Sequence, residues 1–446
     1  MDDSTAIYSV RQLPKLKVLL LGMQHTFAMF GATVLVPLLT GLNIQTTLLM
    51  AGVGTLLFHL ITGGKVPAFL GSSFAYLGGY AMVAPMVDGV ADIEKLAYAG
   101  GGVAVSGLVY LALTGFIKLY GVKRVLRFFP PVVTGPIIIS IGLILAPSAI
   151  QSASTDWLLA VVAAGIIIVC NIWGKGMIKI IPILLGVVGS YVLALILNRV
   201  DFSAVQNAGI IGLPPITPAK FDLSAIITIV PISLATMMEH IGDISAISAT
   251  TGINYISDPG LAKTLTGDGL ATTLSALIGG PANTTYGENT GVLALTRIYD
   301  PIVMRIAACF AIVLSFVPFL SEGIRTIPVA IIGGVSLILY GMISAIGIRN
   351  VVENQVDFTK SRNLIISAAI LVTALGFNTL GGLTIPIGTF EINLSGLAIA
   401  AILGILLNAI LPGKDYVFTE DEPRQTGVDF DAGQAASTTK EGKSAS

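Results

Sequence analysis

The sequence predicts an all-α polytopic membrane protein. Three observations carry this. Of the 446 residues 54% are hydrophobic and only 11% charged, and the mean hydropathy is +0.88. A soluble domain carries about 25% charged residues, so a globule of this composition would lack a polar surface. The apolar residues fall in long unbroken runs, which excludes a transmembrane β-barrel, whose strands alternate in segments of about ten. Basic residues sort to one side once the runs are counted as spans.

About fourteen runs are long and apolar enough, or nearly so, to cross a bilayer. Val18–Leu39 is the first; Arg11, Lys15 and Lys17 precede it and no small-residue cleavage site follows, so it reads as an anchored helix and not a cleaved signal. Thr46–Thr62 is the second. Lys65–Pro85 is interrupted by Pro67, Gly71, Ser72, Ser73, Gly78 and Gly79 and reads as extended backbone entering a half-helix. Leu96–Leu119 is rich in small residues, as close helix packing in lipid favours. Val125–Ala146, Trp157–Trp173 and Met177–Leu197 complete the first half. Asp201–Phe221, with Pro214, Pro215 and Pro218, reads as an external linker.

Leu223–Thr250 opens the second half and carries Glu239, His240 and Asp243. Lys263–Gly279 follows. Gly280–Thr296 is again broken, with Pro281, Asn283, Thr284, Thr285, Gly287, Glu288 and Asn289 in close order. Pro301–Leu320, Ile327–Ile348, Leu364–Phe377 and Leu394–Leu411 finish the set, with Val351–Arg362 as a polar interfacial helix or loop. The chain therefore divides into a first repeat, 1–222, a second, 223–412, and a charged, Ser/Thr/Gly-rich tail, 413–446, whose composition predicts disorder.

An even number of spans puts both termini on one side. With the N-terminus in the cytoplasm, Lys118, Lys123, Arg124, Arg127, Lys175, Lys179, Lys263, Arg297, Arg305, Arg349, Lys360, Arg362 and Lys414 fall inside; Lys95, Arg199, Lys220 and Arg325 fall outside. Seven spans per half make the second repeat inverted relative to the first, and the third span of each is the broken one. Paired interrupted segments in corresponding positions point to the binding site of a secondary transporter.

Irregular backbone at membrane depth is tolerated only in protein or along a cavity. An ionisable group there marks a functional site unless local backbone amides satisfy it. Glu288 is thus expected to anchor a substrate pocket near the bilayer midplane. Glu239 and Asp243 stand four apart on one helix face. They would share a proton and accept from a ligand; the alternative, a helix-end cap, suits Asp243 better than Glu239. His25 and His240 are as readily packed histidines as working ones. Asp268 sits near the inner end of its span, and Phe74 and Tyr340 are either stacking groups or packing. Cys170 and Cys309 read as small core hydrophobes, with no disulfide framework or metal spacing. No P-loop, selectivity-filter sequence, HExxH or Asp-rich cluster occurs, which argues against an ATPase, a selective channel and a membrane enzyme. A secondary transporter for a small neutral ligand with N–H donors and C=O acceptors remains; a substrate-gated channel or a non-transporting sensor is the reading from another class.

Glu288-Asn289-x-Gly291-x-x-x-x-Thr296-Arg297 resembles the signature of the nucleobase–ascorbate (nucleobase–cation symporter 2) family. Asn283-Thr284-Thr285-Tyr286-Gly287-Glu288-Asn289, the stretch Gln24-His25-x-Phe27-Ala28-Met29-Phe30-Gly31-Ala32-Thr33 and Gly71-Ser72-Ser73-Phe74 are similar to its bacterial uracil permease branch, over residues 15 to 410. The resemblance implies two inverted seven-segment repeats, with short antiparallel strands in segments 3 and 10. Spans one to four and eight to eleven would form a core domain, and spans five to seven and twelve to fourteen a gate domain. It implies that Glu239 and Glu288 hold the base, that the Phe74 and Gly287 amides meet its carbonyls with Tyr286 beside them, and that Tyr340 approaches from the gate. It further implies import of uracil by alternating access, with Glu239 and Asp243 coupling it to protons. Neither a metal nor a further cofactor is expected, nor a nucleic-acid partner. The expected partners are a nucleobase, the lipid of a bacterial inner (plasma) membrane with both termini cytoplasmic, and a second copy in a homodimer. The branch usually reads Glu-His-x-Gly-His where this chain has Glu239-His240-Ile241-Gly242-Asp243; Asp is the residue of the xanthine and urate branch, so a xanthine or broad nucleobase permease is the alternative.

Overall fold

The computed structural model describes residues 6–86, 90–121, 124–125, 127–206, 208–387 and 390–413. The expected tail disorder, and Lys123 and Lys414 of the basic sorting, lie outside the described residues. The first half runs through α1 (Lys15–Thr40), α2 (Ile44–Ile61), a three-residue strand β1 (Leu70–Ser72), α3 (Leu77–Val83), α4 (Ile93–Tyr120), α5 (Pro131–Ser154), α6 (Trp157–Trp173) and α7 (Pro182–Ile196). The second runs through α8 (Leu223–Ile229), α9 (Ile232–Thr251), α10 (Leu261–Leu277), β2 (Asn283–Thr285), α11 (Gly287–Thr296), α12 (Ile302–Ser315), α13 (Pro318–Arg325), α14 (Val329–Glu353), α15 (Ser361–Thr379), the strands β3 (Leu383–Ile387) and β4 (Phe390–Leu394), and α16 (Gly396–Ile410).

Among the described residues seven helical stretches are long and apolar enough to cross a membrane: α1, α2, α4, α5, α8 with α9, α14 and α15. The pair α12 and α13 makes an eighth, bent by 83°. Three shorter apolar helices, α6, α7 and α16, accompany them.

Proline accounts for most differences from the sequence boundaries, because it has no N–H to donate and clashes with the preceding turn. The span expected over Val125–Ala146 starts at Pro131, which occupies the first helical position, and runs on to Ser154. The span expected over Pro301–Leu320 stops at Ser315 and turns into α13 at Pro318. Pro231 separates α8 from α9, and Pro182 opens α7 after a separate turn at Met177–Ile180. The polar stretch expected from Val351 begins inside α14, which continues to Glu353, where Arg349 and Glu353 pair one turn apart.

Two arrangements position the interior. First, β1 and β2 pair antiparallel across more than two hundred residues of sequence, with Leu70 opposite Thr285, Gly71 opposite Thr284 and Ser72 opposite Asn283. Second, α5 packs along α14 through facing glycines. A Cβ on Gly142 would stand 2.2 Å from the Tyr340 carbonyl oxygen, and one on Gly347 would stand 2.8 Å from the Gly135 carbonyl oxygen. Backbones this close exclude side chains, and dispersion across the seam replaces the hydrophobic drive that lipid cannot supply. The N-terminal segment is also tied down: Ile7 bridges Ile298, the Tyr8 hydroxyl donates to the Thr251 carbonyl at 2.7 Å, and the Val10 amide donates to Asp300 Oδ2 at 2.8 Å.

Gly142→Leu is expected to lower thermal stability by the equivalent of about 1–3 kcal/mol, the usual cost of overpacking. Fluorescence-detected size-exclusion melts of the solubilised protein would measure it; Gly165→Leu, where an added Cβ meets nothing within 4 Å, should leave the melt unchanged.

Candidate functional site

The site is built where the two interrupted segments cross. Pro67 and Gly71 on one side, and Gly280 and Pro281 on the other, stop the helical ladder and leave both chains extended. Two further amides extend the pairing beyond the strands: Ser73 N donates to the Ala282 carbonyl at 2.8 Å and Tyr286 N to the Phe69 carbonyl at 3.0 Å. The outer edges are closed by threonines of neighbouring helices. Thr55 of α2 accepts from Leu70 N at 2.9 Å and donates to the Leu70 carbonyl at 3.2 Å. Thr272 of α10 does the same for Asn283, at 3.2 and 2.9 Å.

Each strand then runs toward a short helix, β1 into α3 and β2 into α11. Two amides at these junctions, Phe74 N and Gly287 N, donate no hydrogen bond among the described residues. Gly287 is exposed, and a Cβ built on it would meet nothing within 4 Å. Glu288 lies in the first turn of α11, where the helix dipole is positive, and is half-buried.

The third element is α9. It carries Glu239 and Asp243, both half-buried, and the charges of Glu239, Asp243 and Glu288 are close enough to act on one another. Thr285 of β2 donates its hydroxyl to Asp243 Oδ2 at 2.7 Å. Glu239 Oε2 is buried with no hydrogen-bond partner. The structure therefore brings Glu239, Asp243 and Glu288 within electrostatic reach of one another, with the Gly287 amide at the start of the helix that carries Glu288 and the Phe74 amide past the far end of the ribbon.

Two other expected site residues stand differently. The Tyr286 ring fills the space over Gly71, where a Cβ would stand 2.4 Å from it, and its hydroxyl donates to the Ser72 carbonyl at 2.9 Å, with Ser72 Oγ at 3.1 Å and Thr33 Oγ1 at 3.4 Å. That hydroxyl is committed to holding the crossing together. Tyr340 is buried in α14 beside α5, and makes no hydrogen bond to the carboxylates among the described residues.

Several polar partners had no individual signal in the sequence. Asn289 Nδ2 donates to the His25 carbonyl at 3.1 Å and lies 3.2 Å from His25 Nδ1, which makes His25 a packed, partnered histidine joining α1 to α11. His240 Nδ1 lies 3.4 Å from Asp268 Oδ2 with both side chains wholly buried, and without the geometry of a hydrogen bond. Tyr76 and Tyr110 both reach Thr236 of α9, and Tyr76 also meets Ser106 at 2.8 Å. A polar pattern such as Thr-Thr-Tyr signals buried hydroxyls at membrane depth but not which residue, often two hundred positions away, each one meets. No group of three or more His, Cys, Asp or Glu side chains able to hold a metal occurs among the described residues.

The family model Xan_ur_permease, described as Permease family, matches residues 16–383. The chain belongs to the nucleobase–ascorbate transporter family. It is 40% identical over 407 residues to the probable uracil permease of Haemophilus influenzae, covering 89% of this chain and 95% of that one. It is 41% identical over 410 residues to the uracil permease of Bacillus caldolyticus, covering 88% and 92%. Among solved structures it is similar to the transmembrane domain of a cyanobacterial bicarbonate transporter, BicA, with a TM-score of 0.63, 17% identity, and coverage of 83% of this chain and 98% of that one. At that identity the likeness is one of fold, and the fold is that of a multi-pass membrane transporter.

Asn289→Ala should leave the His25 ring nitrogen without its Asn289 partner at 1% exposure, while the His25 carbonyl keeps its bond within α1. A loss of about 1–3 kcal/mol in stability is expected, read as a lower melting temperature; Asn289→Asp, which places an acceptor against the His25 carbonyl, should do no better than Asn289→Ala.

Proposed function

We propose that this family member imports uracil across the bacterial plasma membrane, coupled to protons, by alternating access. One observation carries the substrate reading: three mutually close carboxylates, Glu239, Asp243 and Glu288, stand at a strand crossing whose Phe74 and Gly287 amides donate no hydrogen bond. A pyrimidine-dione offers ring N–H donors and carbonyl acceptors in one plane. Carboxylates accept only, and backbone N–H groups donate only, so the site is complementary in kind to that ligand. Glu288 and Glu239 take the ring N–H groups; the Gly287 and Phe74 amides take the carbonyls; Tyr340 closes the pocket from α14. Relatives bearing the name uracil permease, at about 40% identity over nearly their whole length, support the same reading.

The architecture proposed for this function has fourteen segments in two inverted repeats. The first repeat comprises α1, α2, β1 with α3, α4, α5, α6 and α7. The second comprises α8 with α9, α10, β2 with α11, α12 with α13, α14, α15 and α16. The matching roles of Thr55 and Thr272, each bracketing one strand from the helix before it, support this symmetry. Spans one to four and eight to eleven form the core, the rest form the gate, and the core moves against the gate. Both termini are cytoplasmic, and the protein assembles as a homodimer.

Glu288→Gln replaces an acceptor by a group that presents a donor to the ligand's own donor. Sites that hydrogen-bond their ligand discriminate strongly when a partner is left unpaired. Loss of uracil binding by about a hundredfold or more, with normal membrane insertion, is expected in isothermal titration; affinity equal to the parent's would remove Glu288 from the pocket.

Asp243 favours the second reading, a xanthine or broad nucleobase permease, because its oxygens add acceptor capacity beside the pair of glutamates. A nucleobase panel decides: xanthine bound as tightly as uracil would establish it. Asp243 also carries the coupling proposal. Asp243→Asn keeps the contact with Thr285 but holds no exchangeable charge, so uptake into proteoliposomes should lose its dependence on external pH more than it loses uracil affinity. Asp243→His should keep transport and move the pH profile. Uptake insensitive to an imposed pH gradient and to protonophores would remove proton coupling, and conductance far above carrier turnover would favour a channel.

A further inference from the structure

A second polar cleft lies away from the strand crossing, among the ends of four helices. It has a volume of about 250 Å³ and is bounded by the segment leading into α5, the end of α14, the start of α15 and the end of α16. Arg127, Lys360 and Arg362 line it against one carboxylate, Asp357. Arg127 and Lys360 are exposed at its rim, and Arg362 is half-buried.

The cleft is held in shape by buried amides. Asn408, 2% exposed, donates to the Arg127 carbonyl at 3.1 Å and so fixes the loop that carries Arg127. Arg362 donates to the Asn408 carbonyl at 3.1 Å, to its Oδ1 at 2.7 Å and to the Leu411 carbonyl at 3.4 Å, which neutralises the negative end of α16. Asn363, 3% exposed, donates to the Asp357 carbonyl at 3.0 Å. The Asp357 carboxylate is turned into its own loop, accepting from Thr359 N at 2.9 Å and Thr359 Oγ1 at 2.6 Å. The positive N-terminal end of the nineteen-residue α15 faces the same cleft, with no side chain capping it.

We propose that this cleft binds the phosphate of an anionic phospholipid headgroup. The lining carries three basic side chains against one carboxylate, that carboxylate accepts from its own loop, and the basic groups stand where helices end. The positive-inside reading assigns that face to the cytoplasm, and basic pockets between transmembrane helices on that face suit phosphate headgroups. Pockets for drug-sized ligands have volumes of about 300–1,000 Å³, so this smaller cleft suits a headgroup better than a whole nucleotide. All four helices belong to the proposed gate, so the lipid would tether the gate at the interface while the core moves. The proposal is independent of which nucleobase is carried.

Native mass spectrometry of the purified full-length protein, exchanged against phosphatidylglycerol and phosphatidylcholine, tests it. The parent should retain phosphatidylglycerol preferentially. Each basic residue near an anionic surface contributes modestly, so Arg127→Gln with Lys360→Gln should lower that retention about tenfold or more. Both substitutions are at exposed positions; a melt of the double variant checks that it folds, and Arg127→Gln alone, with a smaller loss, serves if it does not. Glycerol 3-phosphate is the soluble arm: binding of it at millimolar concentration, without preferential lipid retention, would overturn the lipid source in favour of a free phosphate. Equal retention of the two lipids by the parent, or unchanged retention in the variants, would overturn the proposal.

Discussion

Backbone hydrogen bonding at membrane depth is the constraint from which the rest of the structure follows. Each interrupted segment alone would carry extended backbone with unpaired N–H and C=O groups, costing several kcal/mol apiece in hydrocarbon. The two segments satisfy one another instead, through the Leu70–Thr285, Gly71–Thr284 and Ser72–Asn283 register. A two-stranded ribbon has two outer edges, and Thr55 and Thr272 close them from helices on either side. The Asn283 side chain continues the same work by donating to the Met50 carbonyl at 3.1 Å. Four elements are therefore bound into one unit, and the break in each span depends on the break in the other.

That solution leaves a small remainder. The ribbon ends where each strand turns toward a helix, and there the Phe74 and Gly287 amides have no acceptor of their own. Unpaired donors beside a helix N-terminus form a site for electronegative atoms. The carboxylates of α9 and α11 supply the opposite polarity within reach. The same backbone break thus creates both the need for a strand pair and the donors that a ligand can use. Gly287 stands at that turn, as the first residue of α11.

The membrane class and the interrupted segments were legible in the sequence, and Glu239, Asp243 and Glu288, which the fold places near one another, stood out there too, because each rests on a local signal: apolar run length, a helix-breaking cluster at depth, or a charge with no business in lipid. What was not legible depends on pairing between distant positions. His25 could equally have been packed or working until Asn289, 264 residues away, was placed against it. Tyr286 stands within the signature, yet its hydroxyl is turned back onto Ser72 and Thr33, a direction that only the crossing of the two segments determines. Helix ends shifted where prolines could be accommodated in more than one way: Pro131 begins α5, whereas Pro136 and Pro147 lie inside it.

The hydrogen bond from Thr285 to Asp243 bears on the mixed character of the signature. Asp243 is one helical turn beyond Glu239, and its carboxylate reaches the strand directly. A charge at this position is thereby attached to β2, the element that leads into Gly287 and Glu288. Displacing that carboxylate would pull on the strand register, and the register holds the two undonated amides, Phe74 N and Gly287 N. Thr285 also lies opposite Leu70, the residue bracketed by Thr55, so the same disturbance extends to α2. Position 243 can therefore affect the pocket through backbone geometry as well as through its own acceptor atoms, and a change of residue type there alters two properties of the site at once.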